Sequence, residues 1–170
     1  KSLVIAERNA DRLTRLVTQL MDFQKADLNK MVIQADRYNI VFALQDILKS
    51  FQPLFDEKKI ILDYQHDVDE LTVWLDADKF EKIIYNVISN AIKYSKTGGT
   101  VKVRLEKDEH HCFIKVVDEG IGIPEKQQNQ IFSGYYRANN TANLQETGSG
   151  IGLMLTKQLI ELHKGQISFS

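Results

Sequence analysis

The chain has 170 residues, 43% of them apolar and 26% charged, enough for one well-buried core and short for two. Twenty-two Lys and Arg against 23 Asp and Glu leave a formal net charge of -1, so no basic excess marks a nucleic-acid backbone as partner. Apolar runs span only a few residues, against the roughly 20 of a membrane-crossing helix. No signal-peptide pattern opens the chain, and the single cysteine, Cys112, excludes an intrachain disulfide and fits a reducing, cytoplasmic setting.

Residues 2–26 carry neither Gly nor Pro, and Leu13, Leu16, Leu20 and Phe23 recur at spacings of 3, 4 and 3. That predicts a helix with a narrow apolar seam, suited to packing on another helix; a terminal helix lying on its own domain is the alternative. The pattern already runs at Lys1, and Gln166 to Ser170 reads as a strand without a finishing turn, so the chain is expected to be a fragment. A polar junction at 26–30 reads as a linker, followed by strand-like residues at 31–35. Val41, Leu44, Ile47, Leu48 and Phe51 keep helical spacing until Pro53, which predicts a helix ending near Asp56.

Residues 60–64 and 71–75 are β-branched and aromatic runs and predict strands. Asp76 then offers an N-cap to the most strongly patterned helix, in which Phe80, Ile83, Ile84, Val87, Ile88, Ala91 and Ile92 form a broad apolar face through to Tyr94. Two alternating strands follow, 100–105 and 111–117, around a polar hairpin. From Asp118 to Gly150 the pattern lapses into a long loop bearing glycines, the kind that is usually functional in a compact domain. Residues 151–163 predict a helix stopped by Gly165.

Four clusters interrupt this scaffold. Asn86, Asn90 and Lys93 fall on one side of an otherwise apolar helix; their amides fit either a hard cation or caps on neighbouring backbone. Asp118-x-Gly120-x-Gly122 at a strand end permits close backbone approach and offers a carboxylate acceptor, though a tight turn alone would look similar. Gly148-x-Gly150-x-Gly152 before a helix frees amides for phosphate or simply starts the helix. In Phe132-Ser-Gly-Tyr135-Tyr136-Arg137 the aromatics suit a lid anchor and the guanidinium a phosphate.

In that order the four clusters resemble the N, G1, F and G2 boxes of the ATP-binding catalytic domain of sensor histidine kinases. The resemblance covers roughly residues 31–170, and residues 1–25 resemble the second helix of the family's dimerisation and phosphoacceptor hairpin. It implies an α+β fold, a two-layer α/β sandwich of the GHKL ATPase type, with a mixed sheet and helices on one face, preceded by one bundle-type helix. By resemblance the domains are 1–25 (partial hairpin helix), 26–30 (linker) and 31–170 (ATP-binding domain, lacking its last strand).

Position by position, the resemblance implies that Asn90 ligates Mg2+, with Asn86 supporting it or the phosphates. Lys93 contacts phosphate, Tyr94 borders adenine or ribose, and Asp118 accepts from the adenine amino group. Gly120 and Gly122 let the backbone close over the base, and Ile123 joins the ATP-binding residues. Arg137 stabilises the γ-phosphoryl group in transfer, and Thr147, Gly148, Ser149, Gly150, Ile151, Gly152 and Leu153 cradle the phosphates. Asn86, Lys93 and Arg137 are thus the expected catalytic residues, with ATP and Mg2+ as cofactors.

The implied partners are ATP, the chain's own upstream phosphoacceptor helix, a response-regulator receiver domain and, in the full-length protein, a second copy. The implied location is a cytoplasmic segment of a bacterial inner-membrane protein. Two departures stand out: none of His66, His110, His111 and His163 sits in a phosphoacceptor context, and Ser133-Gly134 replaces larger polar residues of the family. A water-using ATPase of the same superfamily is the enzyme alternative. Those proteins place a glutamate where this chain has Asn86, which favours transfer to a better nucleophile over hydrolysis. An inert nucleotide-binding interaction module and a serine kinase of the anti-sigma type are the remaining alternatives.

Overall fold

The computed structural model describes residues 14, 17, 18, 21, 31–128, 130–133 and 150–169. The chain divides into two compact units, one of residues 33–126 and the other of residues 1–32 with 127–170. Most of the predicted seam helix and the linker lie outside the described residues; Thr14, Val17, Thr18 and Met21, which are described, are helical.

In the unit of residues 33–126, β1 (Asp36–Asn39) leads into α1 (Ile40–Ser50) and α2 (Gln52–Lys58). β2 (Ile61–His66), β3 (Thr72–Leu75) and α3 (Ala77–Tyr94) follow, then β4 (Thr100–Lys107) and β5 (Cys112–Asp118). β1 and β3 form an antiparallel ribbon; β2 runs parallel to β4, which pairs antiparallel with β5. A hairpin suffices for the β4–β5 pair, whereas the parallel β2–β4 pair requires a crossover, which contains β3 and α3. This is the expected mixed sheet with helices. Val101, Val103 and Leu105 alternate inward and are fully buried, while Lys102 and Arg104 are exposed, so one sheet face forms core and the other meets solvent. Leu44, Leu48, Phe51, Phe55, Ile88 and Ala91 complete that core.

Several boundaries differ from expectation. Residues 31–35 form no strand; pairing with β3 instead selects Asp36–Asn39, in the register Asp36 opposite Leu75 and Asn39 opposite Thr72. The single helix expected to end near Asp56 is two, broken at Phe51, with proline in the first turn of α2 and Lys59 closing it in the left-handed conformation at φ 56°. That proline placement suits a helix start, where its missing N–H has no intrahelical partner to lose.

In the other unit, α5 (Gly152–Leu162) buries Leu155, Thr156 and Leu159. A short helix, α4 (Glu125–Gln128), sits where the chain passes between the units. The strand expected after Gly165 is absent from the described residues 166–169, a correction to the sequence reading: among the described residues no ladder partner pairs with them. Phe132 meets Phe169 ring to ring at 5.8 Å and receives Lys157 Nζ 6.0 Å from its centroid.

Candidate functional site

The site is built on α3. Asp76 caps its start: Oδ1 accepts from the Lys79 N–H at 3.2 Å, while Oδ2 accepts from Lys79 Nζ at 2.6 Å and from the Gln34 N–H at 2.9 Å. Burial pushes this carboxyl upward, but the Lys79 ammonium and the two N–H donors outweigh it and hold its pKa at about 2. Phe80, Ile83, Ile84, Ile88, Ala91 and Ile92 point into the core. Asn86, Asn90 and Lys93 are half-buried on the edge of that face, as steps of 4 and 3 require. Among the described residues the Asn90 side chain makes no hydrogen bond.

The last turn of α3 is stitched to the end of β5. Ser95 pairs with Gly120 in an isolated antiparallel bridge, and the Gly120 N–H donates to Asp118 Oδ1 at 2.9 Å. A side chain on Gly120 would collide with Asp118 Oδ1 and come within 2.7 Å of the Tyr94 carbonyl oxygen, so glycine is required here by space. Gly122 has φ +65°, the left-handed region in which glycine is unstrained. Partial desolvation raises the Asp118 pKa, and the Gly120 N–H opposes the rise. Lys93 Nζ lies 4.9 Å from the Tyr94 ring centroid, within cation–π range.

The structure thus brings Asn86, Asn90, Lys93, Tyr94, Asp118, Gly120, Gly122 and Ile123 into one unit, with the amide-bearing helix and the carboxylate turn joined through Ser95. Gly150, Ile151, Gly152 and Leu153 belong to the other unit. There Gly150 has φ +72° and α5 begins without a side-chain cap. Arg137, Thr147, Gly148 and Ser149 lie outside the described residues.

Residues 75–170 match the family model described as "Histidine kinase-, DNA gyrase B-, and HSP90-like ATPase". The chain belongs to that family. It is 33% identical to Histidine kinase P4 of Formosa agariphila over 98% of its own length and 12% of that protein's. The chain therefore spans about an eighth of that curated relative. In fold it is similar to full-length ShkA in complex with AMPPNP, with a TM-score of 0.80 at 21% identity over 95% of this chain and 33% of that one. It is also similar to ThkA in complex with the response regulator protein TrrA, with a TM-score of 0.73 at 22% identity over 92% of this chain and 43% of that one. Its sequence and fold are thus similar to those of histidine kinases.

The donor set of this ATPase-family chain can be tested against magnesium. Among the described residues no group of three or more His, Cys, Asp and Glu could hold a metal ion. The Asn90 amide oxygen, half-buried and without an internal partner among the described residues, is a hard neutral donor. One or two such oxygens, completed by phosphates and water, are what magnesium usually takes from a protein.

Three residues of this junction escaped the sequence reading. Lys58 Nζ donates to the carbonyls of Ile92 and Lys93 at 3.2 Å each. Glu119 Oε2 accepts from the Thr100 N–H at 3.2 Å. Ser95 is 8% exposed, and its buried hydroxyl has no partner among the described residues. Ser95 directly follows Lys93-Tyr94 and Glu119 lies inside Asp118-x-Gly120, so adjacency was the available signal; nothing local marks Lys58. No helix among the described residues is long and apolar enough to cross a membrane.

Proposed function

We propose that this chain is the Mg2+–ATP-binding catalytic domain of a protein-histidine kinase, acting on a phosphoacceptor histidine carried by an upstream helix. The observation that carries the reading is the junction of the two halves of the site: α3, with Asn86, Asn90 and Lys93, is bonded through Ser95 and Gly120 to the turn that holds Asp118.

Each group has a chemical task. The ionised Asp118 carboxylate accepts from the adenine amino group; guanine presents a carbonyl acceptor at that position and would meet repulsion. The Gly120 N–H holds one carboxylate oxygen and leaves the other for the base. Lys93 supplies a cation for the phosphates, and Tyr94 offers an aromatic border. Asn90 would hold the magnesium, with Asn86 supporting it or the phosphates, and the bound ion would screen the triphosphate charge. Arg137 and Thr147 to Leu153 supply further phosphate donors, the fork of the arginine meeting charge on the γ-phosphoryl oxygens.

In the transfer, an imidazole nitrogen of the acceptor attacks the γ-phosphorus, the bond to the β,γ-bridging oxygen breaks and ADP leaves. The phosphoryl group then passes to an aspartate of a response regulator. Asn86 has no basic atom with which to deprotonate water, which favours this route over hydrolysis.

The histidine kinase relatives, the AMPPNP complex of ShkA and the response-regulator complex of ThkA support this reading. Residues 1–25 are the end of a dimerising hairpin, 26–30 a linker and 31–170 the ATP-binding domain. The whole protein is a homodimer with this segment on the cytoplasmic side of the inner membrane.

The test is transfer of label from [γ-32P]ATP to an added polypeptide carrying the upstream hairpin. The reading predicts acid-labile label on histidine that disappears with EDTA. Release of free phosphate alone would favour the water-using ATPase.

A further inference from the structure

We propose that Lys58 is a positioning residue for nucleotide binding, setting the place of Lys93, Tyr94 and Asp118 without touching the nucleotide; the inference rests on the nucleotide-site reading above. The last carbonyls of a helix have no intrahelical partner and carry the negative end of its dipole. On α3 two of these, Ile92 and Lys93, accept from the same ammonium, Lys58 Nζ, at 3.2 Å each. Lys58 is the last residue of α2, and the left-handed Lys59 behind it turns the chain sharply into β2. Its own carbonyl accepts from the Gly98 N–H at 3.3 Å. Side chain and backbone of one residue therefore grip both sides of the corner between α3 and β4.

That corner is the floor of the site. The turn held by Lys58 carries Lys93 and Tyr94 and ends at Ser95, which pairs with Gly120. Gly120 lies against the Tyr94 carbonyl so closely that not even a methyl group fits, and its N–H holds Asp118. The Tyr94 carbonyl cannot move toward the turn without displacing Gly120, and Gly120 cannot move without changing its bond to the carboxylate. On the far side Glu119 ties the same turn to the start of β4 through the Thr100 N–H. Removing the ammonium leaves two helix-end carbonyls without their donor and lets the corner relax. A displacement of about 1 Å in a binding group can cost on the order of 100-fold in a reaction that depends on it.

The test compares the 170-residue chain with its Lys58→Met and Lys58→Arg variants. It uses calorimetric titration with Mg2+–AMPPNP well below each variant's melting midpoint, and 1H–15N spectra in which the Gly120 amide is followed. Lys58→Met is expected to weaken nucleotide affinity about tenfold and to shift the Gly120 resonance, with the circular dichroism spectrum preserved. Lys58→Arg, which keeps charged donors at the site, should recover most of the affinity. If Lys58→Met melts earlier but binds as tightly as the parent with Gly120 unmoved, Lys58 is only a structural brace and the proposal is overturned. If the parent chain itself fails to bind Mg2+–AMPPNP, the nucleotide reading falls and this inference falls with it. Binding by the parent that is lost in Asp118→Ala but unaltered in Lys58→Met overturns the Lys58 proposal alone.

Discussion

Gly120 donates its N–H to Asp118 Oδ1 at 2.9 Å from a position so tight that the Tyr94 carbonyl oxygen would lie 2.7 Å from any β-carbon added to it. The glycine is fixed by space between two neighbours, and its φ is not among the positive values. The carboxylate is thereby oriented by the helix that carries the amides.

Gly120→Ala should therefore damage fold and site together. Overpacking at a tight contact costs roughly 1–3 kcal/mol, here with backbone as the obstructing atom. Urea unfolding is expected to show a loss in that range, and calorimetry a fall in nucleotide affinity larger than the lost stability explains at a temperature where the variant is folded. An alanine variant with parental stability and affinity would mean that the turn is looser than the structure has it.

Asp76, at the opposite end of α3, is expected to contribute to acid stability. It is 4% exposed, and its pKa is held at about 2, below the ordinary 3.8. A depressed carboxyl contributes stability above its unfolded pKa and loses it as pH falls through the folded value. The window is thus roughly pH 4 down to pH 2, and a shift of this size is worth about 2 kcal/mol. Asp76→Asn should lower unfolding free energy by about that amount at pH 7, and the gap from the parent should close as pH falls through that window. A gap independent of pH would assign the loss to packing instead.

In the proposed site, Asn86 is the position on which hydrolysis and transfer would divide. Asn86→Glu introduces, on a half-buried helix edge, a carboxylate one methylene longer than the amide and able to orient and deprotonate water beside the phosphates of the proposed site. Slow phosphate release from ATP is expected to rise severalfold in a coupled assay. No increase would remove the missing-base argument for preferring a histidine acceptor.

Much of α3 was legible because its signals are local: an aspartate cap and an apolar face of period 3.6 that extends over five turns. β4 and β5 were legible through their alternation. By contrast, Asp36–Asn39 is exposed along most of its length and charged over its first half, and only pairing with β3 makes it a strand, a partner no window of sequence contains. The break at Phe51 is equally non-local: that fully buried ring packs 4.8 Å from the Tyr85 ring on α3, so tertiary contact helps settle where one helix stops and the next begins.

The proposed site was visible in the sequence through the type and spacing of Asn86, Asn90, Lys93 and Asp118, which the structure places in one unit. Its supports were not. Lys58 is 34 residues from Ile92, whose carbonyl it holds, and a lysine near a helix end is unremarkable until the fold brings a second helix end against it.

Titration of Mg2+–AMPPNP into the parent chain and into Asp118→Ala decides whether the turn after β5 binds the nucleotide. Saturable binding by the parent and none detectable in the variant, with identical circular dichroism spectra, is the expected result. Parental affinity retained by a folded Asp118→Ala would contradict the assignment of the turn after β5 as the adenine site.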